Sequence, residues 1–218
     1  MADYIIRTAA EGDLPAMGEL RSYNSRTTLN DKYIDYRYLE FLTPSECTQQ
    51  MINYFAHPEN ILIVAAAHEE APAAAPVAEV AADDAAAVDG SADVEPVITC
   101  GGCGSGIGPD NPDSSELLGY AAGRPSPDIL GAFWLEFLDV NEDTRGEGIG
   151  KRLIAEMGRR VRAQGYPQMV IDVLAGNDKA EYIYRHLGAE VLNDDYMQDQ
   201  QGFLVKSKLL IWRDLSIF

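Results

Sequence analysis

The sequence predicts an α/β fold of one domain, interrupted by a disordered acidic insertion. After residue 129, apolar runs short enough for strands alternate with segments of helical periodicity, which is typical of α/β chains. The chain has 218 residues and is 46% hydrophobic, so it can bury the core of one domain. Residues 69–116 differ, because they hold eleven acidic residues and no Lys or Arg.

The first third of the chain is predicted to contain two strands and two helices. Tyr4–Arg7 and Ile61–Ala65 are apolar runs that fit strands. A helix over Leu14–Ser25 follows Asp13, which is a suitable N-cap. A second helix begins at the capping box of residues 43–46, with Pro at its first position. That helix places four residues on one apolar face: Cys47, Met51, Tyr54 and Phe55.

The segment of residues 69–116 has a composition that cannot support a core. Ala and Pro dominate its first half, Gly and Ser its second half, and its like charges repel one another, which predicts disorder. The next apolar run, Leu117–Ala122, resumes strand character, so the insertion is predicted in the turn between the second and third strands, where extra length is tolerated. It accounts for 11 of the 18 excess negative charges and leaves the rest of the chain nearer −7.

The longest predicted strand, Ile129–Val140, precedes a predicted helix over Ile149–Ala163. Gly165 is the expected residue after the end of that helix. Five apolar residues of the helix recur at a spacing of three or four: Ile149, Leu153, Ile154, Met157 and Val161.

The C-terminal part continues the alternation. Met169–Leu174 is predicted to be a buried strand that contains one acid, Asp172. Asn177 is a natural N-cap for a helix over Asp178–Leu187, and Gly188 ends it. Two last strands are predicted near the C-terminus: Val191–Leu192 and Phe203–Trp212.

The turn at residues 145–150 is rich in glycine and joins a strand to a helix. Such a turn points backbone N–H groups at one spot, in front of the positive end of the helix dipole, which suits a phosphate or pyrophosphate. Leu153 stands where the dinucleotide fingerprint needs its third glycine, and Arg152 stands where the NTPase loop needs Ser or Thr. The turn instead fits R-x-x-G-x-G, with Arg145, Gly148 and Gly150.

This pattern resembles the acyl-CoA pyrophosphate motif of the GCN5-related N-acetyltransferases, the GNAT family. The resemblance is strong over roughly residues 129–188 and weak before them. It implies a mixed, mostly antiparallel central sheet of six or seven strands with helices on both faces. A second motif of the family follows in order: Asn177, Ala180, Tyr184 and Leu187-Gly188.

The resemblance implies an N-acetyltransferase that uses acetyl-CoA as cosubstrate. In the family, backbone groups of the strand before the turn pair with the pantetheine and polarise the thioester carbonyl. Asn177 matches a residue that contacts the cofactor arm, although it also serves as a plain helix cap. The cofactor-binding residues implied in this way are Leu138, Asp139, Val140, Arg145, Gly146, Glu147, Gly148, Ile149, Gly150, Lys151, Asn177 and Ala180.

Three residues are candidates for proton transfer. Tyr184 matches the family's general acid, and a phenol with a pKa near 10 suits protonation of a departing thiolate. Asp172 interrupts a buried strand and lies five residues before Asn177, where acetyltransferases of the ribosomal-protein type carry a catalytic Glu. Glu136 is the second candidate base, and either acid has the alternative of a structural ion pair. Cys47 has no partner in sequence that would make it a nucleophile, so we expect direct attack by the amine.

The acceptor is a primary amine, on a small molecule or a protein, whose identity the sequence leaves open. The family resemblance assigns residues 27–41 to the acceptor pocket. The alternative function is a catalytically silent acyl-CoA-binding sensor or scaffold, with the acidic insertion as its interaction arm.

Other chemistry and other partners are not expected. Cys100 and Cys103 supply half of a zinc site at most, and neither Cys47 nor the histidines complete it, so no metal is predicted. A net charge of −18 disfavours nucleic acid and anionic membranes. With no apolar span and no signal peptide in the sequence, we expect a cytoplasmic protein. We also consider a homodimer.

Overall fold

The computed structural model describes residues 4–28, 35–67, 116–200 and 202–218. Within these ranges the strands are β1 (Tyr4–Thr8), β2 (Ile61–Ala67), β3 (Leu117–Pro125), β4 (Ala132–Val140), β5 (Gln168–Leu174), β6 (Glu190–Gln200) and β7 (Phe203–Trp212). The α-helices are α1 (Leu14–Thr28), α2 (Tyr36–Phe41), α3 (Pro44–Phe55), α4 (Ile149–Ala163) and α5 (Asp178–His186). The predicted insertion, except Glu116, and the Cys100/Cys103 pair lie outside the described residues.

The strands form one sheet in the order β1-β2-β3-β4-β5-β7-β6. Neighbouring strands are antiparallel except β4 and β5, which are parallel and joined by α4. The predicted fold, a mostly antiparallel sheet of six or seven strands, is confirmed. Among the described residues, no helix is long and apolar enough to cross a membrane.

Helices cover both faces of the sheet. On one face, α4 buries the apolar residues that its periodicity predicts, and α5 packs beside it through Ala180, Tyr184 and Leu187. On the other face, α1 and α3 pack on β2 and β3 through Met17 and Met51. Cys47 is fully buried, as expected of a core residue.

Several element boundaries differ from the predictions, most of all that of β6, which was predicted as Val191–Leu192 and spans Glu190–Gln200. The fourth strand begins at Ala132 rather than Ile129, because the Ala132 N–H donates to the Ile129 carbonyl in a turn where Gly131 has a φ of +76°. The first helix runs on to Thr28. Asp13 does not cap that helix through its side chain, because its carboxylate accepts hydrogen bonds from Arg7 and from the Ala10 N–H.

A β-bulge interrupts β4 at Glu136. Phe137 pairs with Ala122, but the next pair along the ladder is Leu135 with Gly123, so Glu136 has no partner on β3. A bulge shifts the alternation of side chains by one residue and re-aims those around it. Leu135 and Leu138 therefore both face α4, while Phe137 packs on the opposite face.

Candidate active site

The strands β4 and β5 separate after a short parallel ladder. They pair only from Ala132–Trp134 to Gln168–Val170, and the remainder of each strand diverges. A cavity of about 530 Å³, called the wedge below, opens between residues 136–140 and residues 171–174. On its other side, β5 pairs with β7. Along the wedge, the backbone groups of β4 that face β5 pair with no described strand and are left for a ligand.

Most of the predicted site residues line the wedge. They are Glu136, Leu138, Asp139, Val140, Arg145, Gly146, Gly148, Ile149, Gly150, Lys151, Asp172, Asn177, Ala180 and Tyr184. Glu147 is not among its lining residues, and the Glu147 N–H donates to the Thr144 carbonyl in the turn. Lys179, which the sequence analysis did not single out, also lines the wedge and adds a cation to Arg21, Arg145 and Lys151.

The glycine turn places the start of α4 against the wedge. Gly148 is the N-cap residue and has a φ of +86°, a conformation that favours glycine. The first hydrogen bond within the helix runs from the Arg152 N–H to the Gly148 carbonyl. The preceding N–H groups, those of Ile149, Gly150 and Lys151, therefore have no partner inside the helix. Together with the helix dipole they form an anion site.

Arg145 is held by a buried asparagine that the sequence analysis missed. Asn24 of α1 is 5% exposed; its Oδ1 accepts from the Arg145 guanidinium at 2.6 Å, and its Nδ2 donates to Asp139 at 2.9 Å. Asp139 also accepts from the Tyr120 hydroxyl at 2.8 Å. This network ties the glycine turn to β4 and α1. Sequence alone gives no signal for it, because Asn24 lies more than 100 residues from both Asp139 and Arg145.

Asp172 lies on the wall of the wedge formed by β5. Burial raises the pKa of Asp172 to about 6; a hydrogen bond from Trp134 opposes the shift and the negative charge of Glu136 adds to it. Trp134 Nε1 donates to Asp172 Oδ1 at 3.2 Å. A carboxylate with this pKa is ionised at pH 7 and binds a proton more readily than an ordinary Asp.

Glu136, the bulge residue, is paired with a cation. Arg124 Nε lies 2.7 Å from Glu136 Oε2, and the carboxylate is partly buried. Sequence reasoning placed Asp172 first and Glu136 second as candidate bases, and in the structure Glu136 is paired with a guanidinium whereas Asp172 is not. The carboxylate of Glu136 is thus engaged by Arg124, whereas that of Asp172 accepts only the Trp134 hydrogen bond among the described side chains.

Tyr184 enters the wedge from α5 on the side opposite Asp172. Its ring packs against Trp212 with 6.0 Å between the ring centroids. Burial, aided by the charges of Asp172 and Asp139, raises the pKa of Tyr184 well above its usual range. The phenol therefore keeps its proton at neutral pH and is able to donate it. Among the described residues, none forms a hydrogen bond with the Tyr184 hydroxyl.

A second cavity of about 910 Å³, called the acceptor cavity below, adjoins the wedge. The two cavities share four lining residues: Arg21, Tyr38, Glu136 and Phe137. Part of the 27–41 segment thus lines the site through Tyr38, and α3 and β6 supply residues that the sequence analysis did not single out. No cluster of three or more His, Cys, Asp or Glu suited to a metal occurs within the described ranges.

The chain matches known acetyltransferases in sequence. Residues 99–189 match the sequence model of the acetyltransferase (GNAT) family. Over these residues the chain is similar to the GNAT family of acetyltransferases. Two curated relatives, the L-methionine sulfoximine/L-methionine sulfone acetyltransferases of Pseudomonas paraeruginosa and Pseudomonas aeruginosa, are 35% identical to it over 81 residues. That match covers 36% of this chain. The chain spans about half the length of these relatives, 46% of each.

Solved GNAT structures share the fold along nearly the whole chain. The ribosomal-protein-alanine N-acetyltransferase of Brucella melitensis superposes with a TM-score of 0.59 at 19% identity, over 96% of this chain and 99% of that one. The spermidine N-acetyltransferase of Vibrio cholerae, solved with CoA and spermine, gives 0.58 at 10% identity, over 98% and 97%. At these identities the likeness shows the GNAT fold.

Proposed function

We propose that the protein is an N-acetyltransferase that moves the acetyl group of acetyl-CoA to a primary amine by direct attack. One observation carries the proposal: a single cavity is lined by the start of α4, which is suited to an anion, by Asp172 and by Tyr184. Acetyl-CoA supplies the activated acetyl group and an anionic pyrophosphate.

The glycine turn and β4 are proposed to hold the cosubstrate. The N–H groups of Ile149, Gly150 and Lys151 bind the pyrophosphate, with the side chains of Arg145 and Lys151 nearby. Because β4 is unpaired along the wedge, its backbone at residues 138–140 is able to pair with the amides of the pantetheine and to polarise the thioester carbonyl.

Asp172 is proposed as the general base. An amine with a pKa near 10 is almost fully protonated at pH 7, so a group of the site must take a proton before the nitrogen attacks. Asp172 has the raised pKa that suits this task, and Glu136 is left as the charged partner of Arg124. We assign Glu136 to positioning, since it lies where the two cavities meet.

Tyr184 is proposed as the general acid. As the N–C bond forms and the C–S bond breaks, negative charge develops on sulfur, and the phenol donates its proton to that thiolate. The proton that the acylated nitrogen then loses restores the phenol, and Asp172 releases its proton to solvent. Cys47 is buried in the core and lines neither cavity, which supports direct attack rather than an acetyl-cysteine intermediate.

The test is acetyl transfer by the purified protein. Acetyl-CoA is mixed with L-methionine sulfone, with spermidine and with a peptide that has an N-terminal alanine, and both free thiol and N-acetyl product are measured. We expect equal amounts of thiol and product with at least one amine, and loss of both in the double variant Asp172→Asn/Tyr184→Phe. Binding of acetyl-CoA without transfer to any amine would contradict the proposal and favour the sensor alternative.

A further inference from the structure

Arg21 of α1 is half-buried and places a positive charge where the wedge and the acceptor cavity meet. Its guanidinium carbon lies 4.1 Å above the centre of the Phe137 ring, and its Nε donates to Gln50 Oε1 at 3.3 Å. The ring and the neutral amide fix the orientation of the guanidinium without neutralising it.

Within the described residues, no carboxylate lies within ion-pair distance of Arg21. The Arg124 guanidinium, by contrast, is paired with Glu136 at 2.7 Å, and Asp139 accepts hydrogen bonds from Asn24 and Tyr120. A charge removed from water is costly unless an opposite charge meets it. Arg21 therefore has no ion-pair partner among the described residues, since Asp139 acts on it only from a longer distance, and it is suited to receive an anion.

The walls of the acceptor cavity are arranged to take a small polar molecule. Its inner end holds Arg21 and Glu136, and its sides carry Tyr54 and Trp134. The acids Glu59 and Asp128 also line this cavity, and both are exposed. A molecule that enters this cavity meets a positive charge at the end adjoining the wedge.

Arg21 also acts on Asp172, since its positive charge lowers the pKa of that carboxyl against the larger effect of burial. In an α-amino acid the amine and the carboxylate are bonded to the same carbon and so lie close together. The amine can then face Asp172 while the carboxylate faces the guanidinium of Arg21. A polyamine would instead bring further ammonium groups toward Arg21, which repels them.

We propose that the acceptor is an amino acid or a close analogue whose carboxylate pairs with Arg21 while its amine faces the wedge. This inference rests on the proposed acetyltransferase function and narrows it to one class of acceptor. A guanidinium and a carboxylate form two parallel hydrogen bonds, which fixes the position of the amine as well as the charge.

The experiment compares matched pairs of acceptors. The proteinogenic L-amino acids and L-methionine sulfone are each assayed against the amine that lacks only the carboxylate, with wild-type protein and with Arg21→Gln. For the amino acid that the wild-type protein acetylates best, we expect kcat/KM to exceed that of the matched amine by at least about 100-fold. Arg21→Gln should lose most of that preference, and Arg21→Lys should retain part of it because the charge is kept.

Arg26→Gln is the matched control, because it makes the same change at an exposed position of α1 that lines neither cavity. Calorimetry of CoA binding verifies that each variant is folded. Equal use of amino acids and matched amines by wild type, or an equal loss on both in Arg21→Gln, would overturn the inference while leaving the proposed function intact. Failure to acetylate any amine would instead overturn the proposed function.

Discussion

The Tyr184 hydroxyl is predicted to act only as charge develops on the leaving sulfur. Tyr184→Phe keeps the ring and its contact with Trp212, so stability should change little. The rate constant kcat should fall by roughly 10²–10³, the usual range for a general acid, and KM for acetyl-CoA should barely move. Steady-state kinetics under conditions where chemistry limits turnover measure both.

Tyr182→Phe is the control, since Tyr182 lies on the same helix and is 69% exposed. If Tyr184→Phe transfers acetyl at the wild-type rate, the proton comes from another source and the role assigned to Tyr184 is wrong.

Asp172 is predicted to set the pH dependence of transfer. As the base it must be ionised, so kcat/KM should rise with pH through about 6 and then level off. Asp172→Asn should lower kcat/KM and abolish that limb of the profile. Glu136→Gln should keep the limb, because the titrating group is retained. A limb that survives in Asp172→Asn and disappears in Glu136→Gln would exchange the two roles.

The same residue is predicted to lower stability at neutral pH. Its pKa of about 6 in the folded state exceeds the ordinary value of 3.8, so folding favours the protonated form. The stability that this form contributes is fully present below pH 3.8 and is lost as the pH rises through about 6. Asp172→Asn keeps an oxygen for the Trp134 hydrogen bond and removes the buried charge.

That variant should be more stable than wild type at pH 8, by on the order of 2–3 kcal/mol, with little difference near pH 4. Unfolding by urea at the two pH values measures the effect. A variant less stable than wild type at pH 8 would mean that the charge of Asp172 is compensated in the fold.

Residue roles were predictable where a local motif carries them. Asp172 stands out as an acid in an apolar strand, and Tyr184 as part of a motif on one helix. The partners of these groups were not predictable, because Trp134 and Asp172 are 38 residues apart and Asn24 and Arg145 are 121 apart. Such pairs arise only when the sheet and α1 are assembled.

At the scale of elements, the N-terminus of α4 is predicted to bind the pyrophosphate. Gly148→Asp adds a negative charge where phosphate must lie, although Asp is a good N-cap residue. We expect a folded protein with acetyl-CoA affinity lowered at least about tenfold, from the repulsion of like charges. Calorimetry measures the affinity and thermal denaturation verifies the fold.

Gly131→Asp separates this effect from backbone strain. Gly131 also has a positive φ, +76°, but it lies in the β3–β4 turn and lines neither cavity. Its variant should bind acetyl-CoA as wild type does. An equal loss in both variants would assign the effect to strain rather than to the phosphate site.

Sequence predicted the helices better than the strand that forms the site. The bounds of α4 were predicted correctly, because an amphipathic period and a glycine at each end define it. The bulge at Glu136 was not predicted, since whether a residue is left unpaired depends on the register with β3. The separation of β4 from β5 likewise depends on long-range packing.

At the scale of the whole molecule, the insertion is predicted to be dispensable for folding. The Ala67 N–H donates to the Glu116 carbonyl at 2.9 Å, so the chain ends that flank the segment already meet. Replacement of residues 70–114 by a short Gly/Ser turn should leave the melting temperature and the affinity for CoA nearly unchanged. A large decrease in either would indicate that the segment contributes to the domain. The homodimer remains a prediction. Sedimentation of the wild-type protein and of the variant that lacks residues 70–114 tests it.

A crystal structure of the protein with coenzyme A tests the central claim most directly. The account predicts pyrophosphate oxygens within hydrogen-bonding distance of the N–H groups of residues 149–151, the pantetheine along residues 138–140, and the sulfur beside Tyr184. Coenzyme A bound outside the wedge, or with its sulfur away from both Tyr184 and Asp172, would contradict it.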